Sequence, residues 1–136
     1  MKIIFITGGS GYLGTVLIKK LIKKNYKVIN LDPMIYSNAP SFEKNNKNIK
    51  NFIGVTEDNY ILNKIFSYKI YAVIHLSGVS NDPTALLDPD LTKKSNIHAT
   101  KILVKMAKKN KVKKFLFASS CSVYGFSGEK KLVDEN

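Results

Sequence analysis

The residues best placed to do chemistry lie near the start of the chain, in Thr7-Gly8-Gly9-Ser10-Gly11-Tyr12-Leu13-Gly14. They follow the β-forming run Ile3-Ile4-Phe5-Ile6 and precede a helical pattern. A glycine turn between a buried strand and a helix start lets the backbone approach a pyrophosphate without a Cβ in the way. The N–H groups of the first helical turn then point at the anion, with the helix dipole behind them. Gly9, Gly11 and Gly14 give G-x-G-x-x-G, while Gly8, Gly11 and Gly14 give G-x-x-G-x-x-G. A second apolar run, Val28-Ile29-Asn30-Leu31, ends at Asp32. That carboxylate follows the glycines by about 20 residues, the spacing at which an acid accepts hydrogen bonds from ribose hydroxyls. A tight β–α turn without a ligand would share the glycines but has no need of the acid.

These residues need a scaffold, and the chain supplies strand and helix patterns in alternation. Strands are expected at Lys2–Thr7, Lys27–Leu31, Ile49–Ile53, Tyr71–Leu76 and Lys114–Ala118. Helices are expected at Tyr12–Lys24, Asp58–Phe66 and Leu91–Asn110. The first should bury Leu13, Leu17 and Leu21 with Val16, Ile18 and Ile22, and Asn25 should cap it. Pro33–Asn48 reads as a loop with a helical turn near Ser41–Lys44, and Ser77–Pro89 as a second loop. Right-handed crossovers between five such strands give a doubly wound α/β fold with a parallel sheet of order 3-2-1-4-5. Its ligand crevice lies over the carboxyl ends of strands one and four.

The 136 residues suffice for one domain with a core. No apolar stretch is long enough for a membrane span or a signal-peptide core, so a cytoplasmic protein is expected. One cysteine, Cys121, excludes an internal disulfide framework. The net charge of +12 comes entirely from lysine, for the sequence contains no arginine. Arginine is the usual base reader and bidentate phosphate clamp, so its absence argues against specific nucleic-acid recognition. Non-specific, salt-sensitive binding stays open on charge alone. His98 has no Cys, Asp or Glu at ligand spacing, and no metal site is expected.

By Ser119-Ser120-Cys121-Ser122-Val123-Tyr124-Gly125 four motifs have accumulated in order: Thr7–Gly14, Asp32, Val73-Ile74-His75-Leu76-Ser77-Gly78, and this serine run. The chain resembles the N-terminal part of an extended short-chain dehydrogenase/reductase of the NAD-dependent sugar epimerase/dehydratase family, a Rossmann-like fold. Asn96-Ile97-His98-Ala99-Thr100 is similar to that family's Asn-x-x-Gly-Thr, with alanine for glycine. The resemblance implies that Gly8, Gly11 and Gly14 shape a pyrophosphate turn and that the N–H groups of Tyr12 and Leu13 meet the phosphates. It implies that Asp32 binds the adenosine ribose and that Leu76, Ser77 and Gly78 pass beneath the cofactor. A carboxylate at Asp32 and the lack of arginine favour NAD over NADP. Ser120 aligns with the catalytic serine or threonine that hydrogen-bonds the reacting sugar oxygen. Ser80, Asn81 and Tyr124 fall where a sugar substrate approaches, although Ser80-Asn81-Asp82-Pro83 also has ordinary turn composition. Asn96 either holds the active-site backbone or begins a helix turn. His75 is expected to pack and to bond backbone groups.

Two departures from the family matter. Its acidic pattern after strand three, which reads the adenine, is here Gly54-Val55-Thr56-Glu57-Asp58. Valine takes the first acidic position, and Asp58 either matches the second or caps its helix. The Tyr-x-x-x-Lys pair that follows the serine motif in the family does not occur before Asn136. Tyr60-Ile61-Leu62-Asn63-Lys64 has the spacing but precedes the serine. The expectation is one incomplete NAD-binding domain over residues 1–136, without its substrate region and inert alone. The intact protein would be a homodimer, paired through the Leu91–Asn110 helix, that transforms a nucleotide-activated sugar by hydride transfer at a carbinol. The alternative is a non-catalytic NAD(P)-sensing relative that reports to a regulatory partner.

Overall fold

The computed structural model describes residues 1–35 and 46–125. The helical turn expected near Ser41–Lys44 lies outside them. Five parallel strands form one sheet in the order β3-β2-β1-β4-β5. They are β1 (Ile3–Thr7), β2 (Lys27–Asp32), β3 (Ile49–Ile53), β4 (Ile70–His75) and β5 (Lys114–Phe117). The expected strand order is the observed one. The three central strands are nearly unbroken apolar runs because helices cover both faces of the sheet. Phe5, Ile6, Leu31 and Val73 lose essentially all their exposure, each worth about 1.5–3 kcal/mol of apolar burial.

The core has two halves, one on each face. On one face, Phe5, Ile29, Leu31 and Val73 pack against α2 (Asn59–Phe66) and α5 (Ala99–Lys109) through Leu62, Ile65, Phe66, Leu103 and Ala107. Phe5 and Phe66 meet edge to face at 5.7 Å. On the other face, Ile4, Ile6, Val28 and Ala72 receive Ile18 of α1 (Tyr12–Lys23), flanked by Leu17, Leu21 and Ile22. Leu13 and Val16, expected in this core, are exposed instead. The line of α1 that touches the sheet runs through Gly14 and Ile18, both buried, which turns Leu13 and Val16 to solvent. Asn25 ends α1 in the left-handed conformation (φ 59°), its N–H donating to the Ile22 carbonyl and that of Tyr26 to Leu21.

The expected loop Ser77–Pro89 contains a helix, α3 (Asp82–Leu87). Asn81 Oδ1 accepts from Thr84 N at 2.9 Å, and Pro83 occupies the first turn, where its missing N–H costs nothing. The expected single helix Leu91–Asn110 is three pieces: α4 (Pro89–Thr92), one wide π turn (Lys93–His98) and α5. The π turn carries Asn96, whose side chain is bonded outside the helix, and such turns occur where a helix departs from its regular ladder. The polypeptide leaves β5 through a 3₁₀ turn, Cys121–Tyr124.

Candidate functional site

The glycine turn joins β1 to α1 at the carboxyl end of the sheet. Each glycine has its own reason, found by asking what a Cβ would meet. Gly8 has φ +73°, and a Cβ there would stand 2.8 Å from Ser77 N. A Cβ on Gly9 would lie 2.2 Å from Asn30 Oδ1, and one on Gly14 would lie 2.5 Å from Gly9 Cα. Gly11 differs. Its nearest neighbour would be Gly8 O at 3.4 Å, and its backbone (φ −73°, ψ 176°) suits any residue. The fold therefore requires glycine at 8, 9 and 14 but not at 11.

Gly11 is also the N-cap of α1, where it provides no side-chain cap, and the first turn contains no acid. The N–H groups of Tyr12 and Leu13 have no partner among the described residues, whereas those of Gly11 and Thr15 donate to Gly8 and Gly11 carbonyls. Tyr12 is 88% exposed. A bare helix N-terminus beside an open glycine fits an anion brought close to the backbone.

Beneath the turn lies a polar layer. Asp32 ends β2 and is nearly buried; its Oδ2 accepts from Ser10 N at 2.9 Å and its Oδ1 from Met34 N at 2.7 Å. A carboxylate offers about four acceptor positions, so capacity is left for two vicinal hydroxyls. Asn30, fully buried in β2, accepts from Gly9 N at 3.0 Å and donates to Ser10 Oγ and Asn51 Oδ1, each at 3.1 Å. In the sequence Asn30 is one residue of a strand run. The available signal was an amide inside an apolar run, which must find partners when buried.

A cavity of about 250 Å³ opens alongside, between the ends of β2, β3 and β4. Leu31, Pro33, Ile35, Val55 and Thr56 form one wall, and Ser77, Gly78, Val79, Ser80 and Asn81 the other. The second wall is clamped by Asn96, which accepts from Val79 N at 2.7 Å and donates to Val79 O at 2.8 Å. Asn96 thus ties the backbone of this wall to the π turn. Leu76, at the end of β4, donates its N–H to Thr7 O. Val55 and Glu57 both line the cavity, whereas Asp58 caps α2, its Oδ1 accepting from Tyr60 N and Ile61 N. Ser120 is exposed just beyond β5, and Tyr124 follows in the 3₁₀ turn, 44% exposed. Tyr60 is exposed on α2.

His75 packs as expected but departs in its bonding. Its fully buried ring bonds side-chain hydroxyls, not backbone: Thr7 Oγ1 at 2.6 Å from Nδ1 and Thr100 Oγ1 at 2.8 Å from Nε2. The ring stacks on Phe117 at 5.5 Å. Burial holds its pKa below the usual 6.5. A wider hollow of about 480 Å³ lies at the opposite end of the sheet, among Lys2, Lys69, Lys111 and Lys113. It shares no residue with the glycine turn. Among the described residues no three His, Cys, Asp or Glu side chains gather to hold a metal, and no helix is long and apolar enough to cross a membrane.

Comparison with known proteins agrees with this geometry. The sequence profile of the NAD dependent epimerase/dehydratase family matches residues 4–136. A UDP-glucose 4-epimerase of Pasteurella multocida is 32% identical over 127 residues, covering 90% of this chain and 38% of that protein. UDP-glucose 4-epimerase 2 of Arabidopsis thaliana is 31% identical over 143 residues, covering 99% of this chain and 41% of that protein. The UDP-glucose 4-epimerase of Bifidobacterium longum, crystallised with NAD+ and UDP, superimposes with a TM-score of 0.84 at 28% identity, over 98% of this chain and 42% of its own. The 136 residues therefore span about two-fifths of the length of these relatives. A glycine turn that the fold needs at three positions and leaves open at a fourth, a ribose-spaced acid and a family profile over nearly the whole length lead to one conclusion: this chain belongs to the NAD-dependent epimerase/dehydratase family.

Proposed function

We propose that this chain is the dinucleotide-binding part of an enzyme that uses NAD to epimerise, dehydrate or reduce a nucleotide-activated sugar, and that these 136 residues bind NAD without turning over substrate. The observation that carries the reading is the open Gly11 beside the Tyr12 and Leu13 N–H groups, which have no partner among the described residues, with Asp32 holding Ser10 N next to them. In this reading Gly8, Gly11 and Gly14 set the turn, Tyr12 and Leu13 N–H bind the pyrophosphate, and Asp32 takes the adenosine ribose. Bound NAD supplies a reversible hydride acceptor. Asp32 also repels a 2′-phosphate, and no arginine is present to offset that repulsion.

Leu76, Ser77 and Gly78 form the floor at the end of β4, and Asn96 keeps that floor in place through Val79. Ser120 holds the sugar oxygen whose proton is lost as hydride leaves. Ser80, Asn81 and Tyr124 border the path of the sugar. Asp58 serves α2, so the adenine is held by the apolar wall of Leu31, Ile35 and Val55 and not by a carboxylate at 58. The intact enzyme pairs as a homodimer along the run from the π turn into α5, where Ile97 and Val104 are both about half exposed.

The test is calorimetric titration with NAD and NADP. Saturable NAD binding, weaker NADP binding and loss of NAD binding in Asp32→Ala are expected. A folded chain that binds neither nucleotide would overturn the cofactor reading. Turnover of a nucleotide sugar by the 136 residues would overturn the claim of inactivity.

A further inference from the structure

We infer that His75 sets the polarity of Ser77, presenting its hydroxyl to the cavity as a hydrogen-bond acceptor only, so that the ligand atom over Ser77 must be a donor. The inference rests on the cofactor reading above for the identity of that ligand.

One group in the chain of bonds has no choice of role. The carbonyl of Asn96 can only accept, and Thr100 Oγ1 lies 2.5 Å from it, so the Thr100 hydrogen is committed there. Thr100 Oγ1 must therefore accept from its other neighbour, His75 Nε2, at 2.8 Å. That places the ring hydrogen on Nε2 and leaves Nδ1 bare. A bare Nδ1 takes the hydrogen of Thr7 Oγ1 at 2.6 Å. Thr7 has then spent its hydrogen and accepts from Ser77 Oγ at 3.0 Å. Ser77 Oγ also lies 3.3 Å from Nδ1, so both of its inward neighbours are acceptors. The chain runs one way, from Ser77 through Thr7, His75 and Thr100 to Asn96 O. Ser77 lines the cavity, and with its hydrogen spent on Thr7 its hydroxyl has only lone pairs left to offer a ligand there.

Among the described residues, the groups that bond or flank the ring carry no charge. Thr7, Ser77 and Thr100 bond the ring and Phe115 and Phe117 flank it; none of these titrates, and desolvation is the cause of the lowered pKa. Protonation would put a hydrogen on Nδ1, turn Thr7 round and send the Ser77 hydrogen into the cavity. Removing the Thr100 acceptor would do the same, because the ring hydrogen would move to Nδ1. His75 is therefore a positioning residue that acts through Ser77.

The experiment follows the His75 tautomer by ¹⁵N NMR and NAD affinity by calorimetry, in the whole 136-residue chain. Wild type and Thr100→Ser, which keeps the hydroxyl, are expected to show the Nε2–H form and equal affinity. Thr100→Val is expected to switch to Nδ1–H and to bind NAD about tenfold more weakly, the scale of one hydrogen bond reversed. Leu103→Ala, which loosens the same helix without touching the chain of bonds, should lower Tm and leave both readouts unchanged. An Nδ1–H tautomer in wild type, or a switched tautomer in Thr100→Val with unchanged affinity, overturns the inference. If wild type binds no NAD, the cofactor reading fails by itself, and the response of the tautomer to Thr100→Val then decides the polarity of Ser77.

Discussion

Replacing Gly9 and Gly11 separately by alanine should divide the glycine turn into a part the fold needs and a part only a ligand needs. At Gly9 the new methyl would stand 2.2 Å from Asn30 Oδ1, 2.7 Å from its Cγ and 2.9 Å from Ile18 Cδ1. Relief requires moving a buried amide by more than an ångström and breaking its bond from Gly9 N. Overpacking costs about 1–3 kcal/mol, and stranding buried polar groups about 1–3 kcal/mol more. A loss of roughly 2–6 kcal/mol is a large share of a domain's total of about 5–15 kcal/mol. Denaturant unfolding should show it, and Gly9→Ala/Asn30→Ala should be less unstable than the sum of the single changes, since the methyl then has room. At Gly11 the nearest atom is an ordinary 3.4 Å away and the backbone is unstrained. Losing a glycine N-cap and gaining a stiffer unfolded chain should nearly cancel, within about 1 kcal/mol. NAD affinity, however, should fall about 100-fold or more, close to 3 kcal/mol, because the methyl occupies the approach to Tyr12 and Leu13 N–H. A Gly11→Ala chain that is folded and binds NAD like wild type would refute the reasoning. So would a Gly9→Ala chain of native stability.

Three further outcomes are expected. Asp58→Ala should cost about 1 kcal/mol of stability by uncapping α2, with NAD affinity unchanged by titration. Stability should be full above pH 6.5 and fall as the pH drops through that value toward the lower folded pKa of His75, because the unfolded chain takes up the proton first; pH-dependent melting checks the sign, and His75→Phe should flatten the slope. Asn96→Ala should weaken NAD binding by freeing Val79 from both its bonds, while Asn81→Ala, which loses the cap on α3 and leaves Val79 held, should lower Tm with a smaller effect on the Kd for NAD.

The sequence revealed what is local. The glycine turn, the acid at the end of β2 and the alternation of strand and helix are short-range patterns, and together they give the strand order. What it hid depends on register and on neighbours distant in sequence. Asn30 looked like any strand residue until β2 was laid beside β1, which puts it under Gly9. Thr7 and His75 meet only because β1 and β4 pair in the register that sets them side by side. Helix α3 was hidden by its composition: Asn81-Asp82-Pro83 is equally a turn and a capped helix start, and the Asn81 side chain takes up Thr84 N as the second. On α1, the apolar stripe is wider than the line of contact, and periodicity does not tell which edge a sheet will cover.

The strand order also has a consequence in time. β1 is the first strand made and the most central, buried between β2 and β4. Its partner β4 arrives late: Thr7 and His75 are 68 residues apart in the chain. At about 5–20 residues per second of synthesis, Ile4, Phe5 and Ile6 wait roughly 3–14 seconds on the ribosome before their second neighbour exists. During that interval β1 and β2 offer an open, apolar parallel edge to whatever is nearby. Many lysines lie close to these early strands: Lys2, Lys19, Lys20, Lys23, Lys24 and Lys27 surround them in sequence, and all are exposed in the finished fold. Mutual repulsion among those charges would keep nascent copies apart until β4 closes the edge.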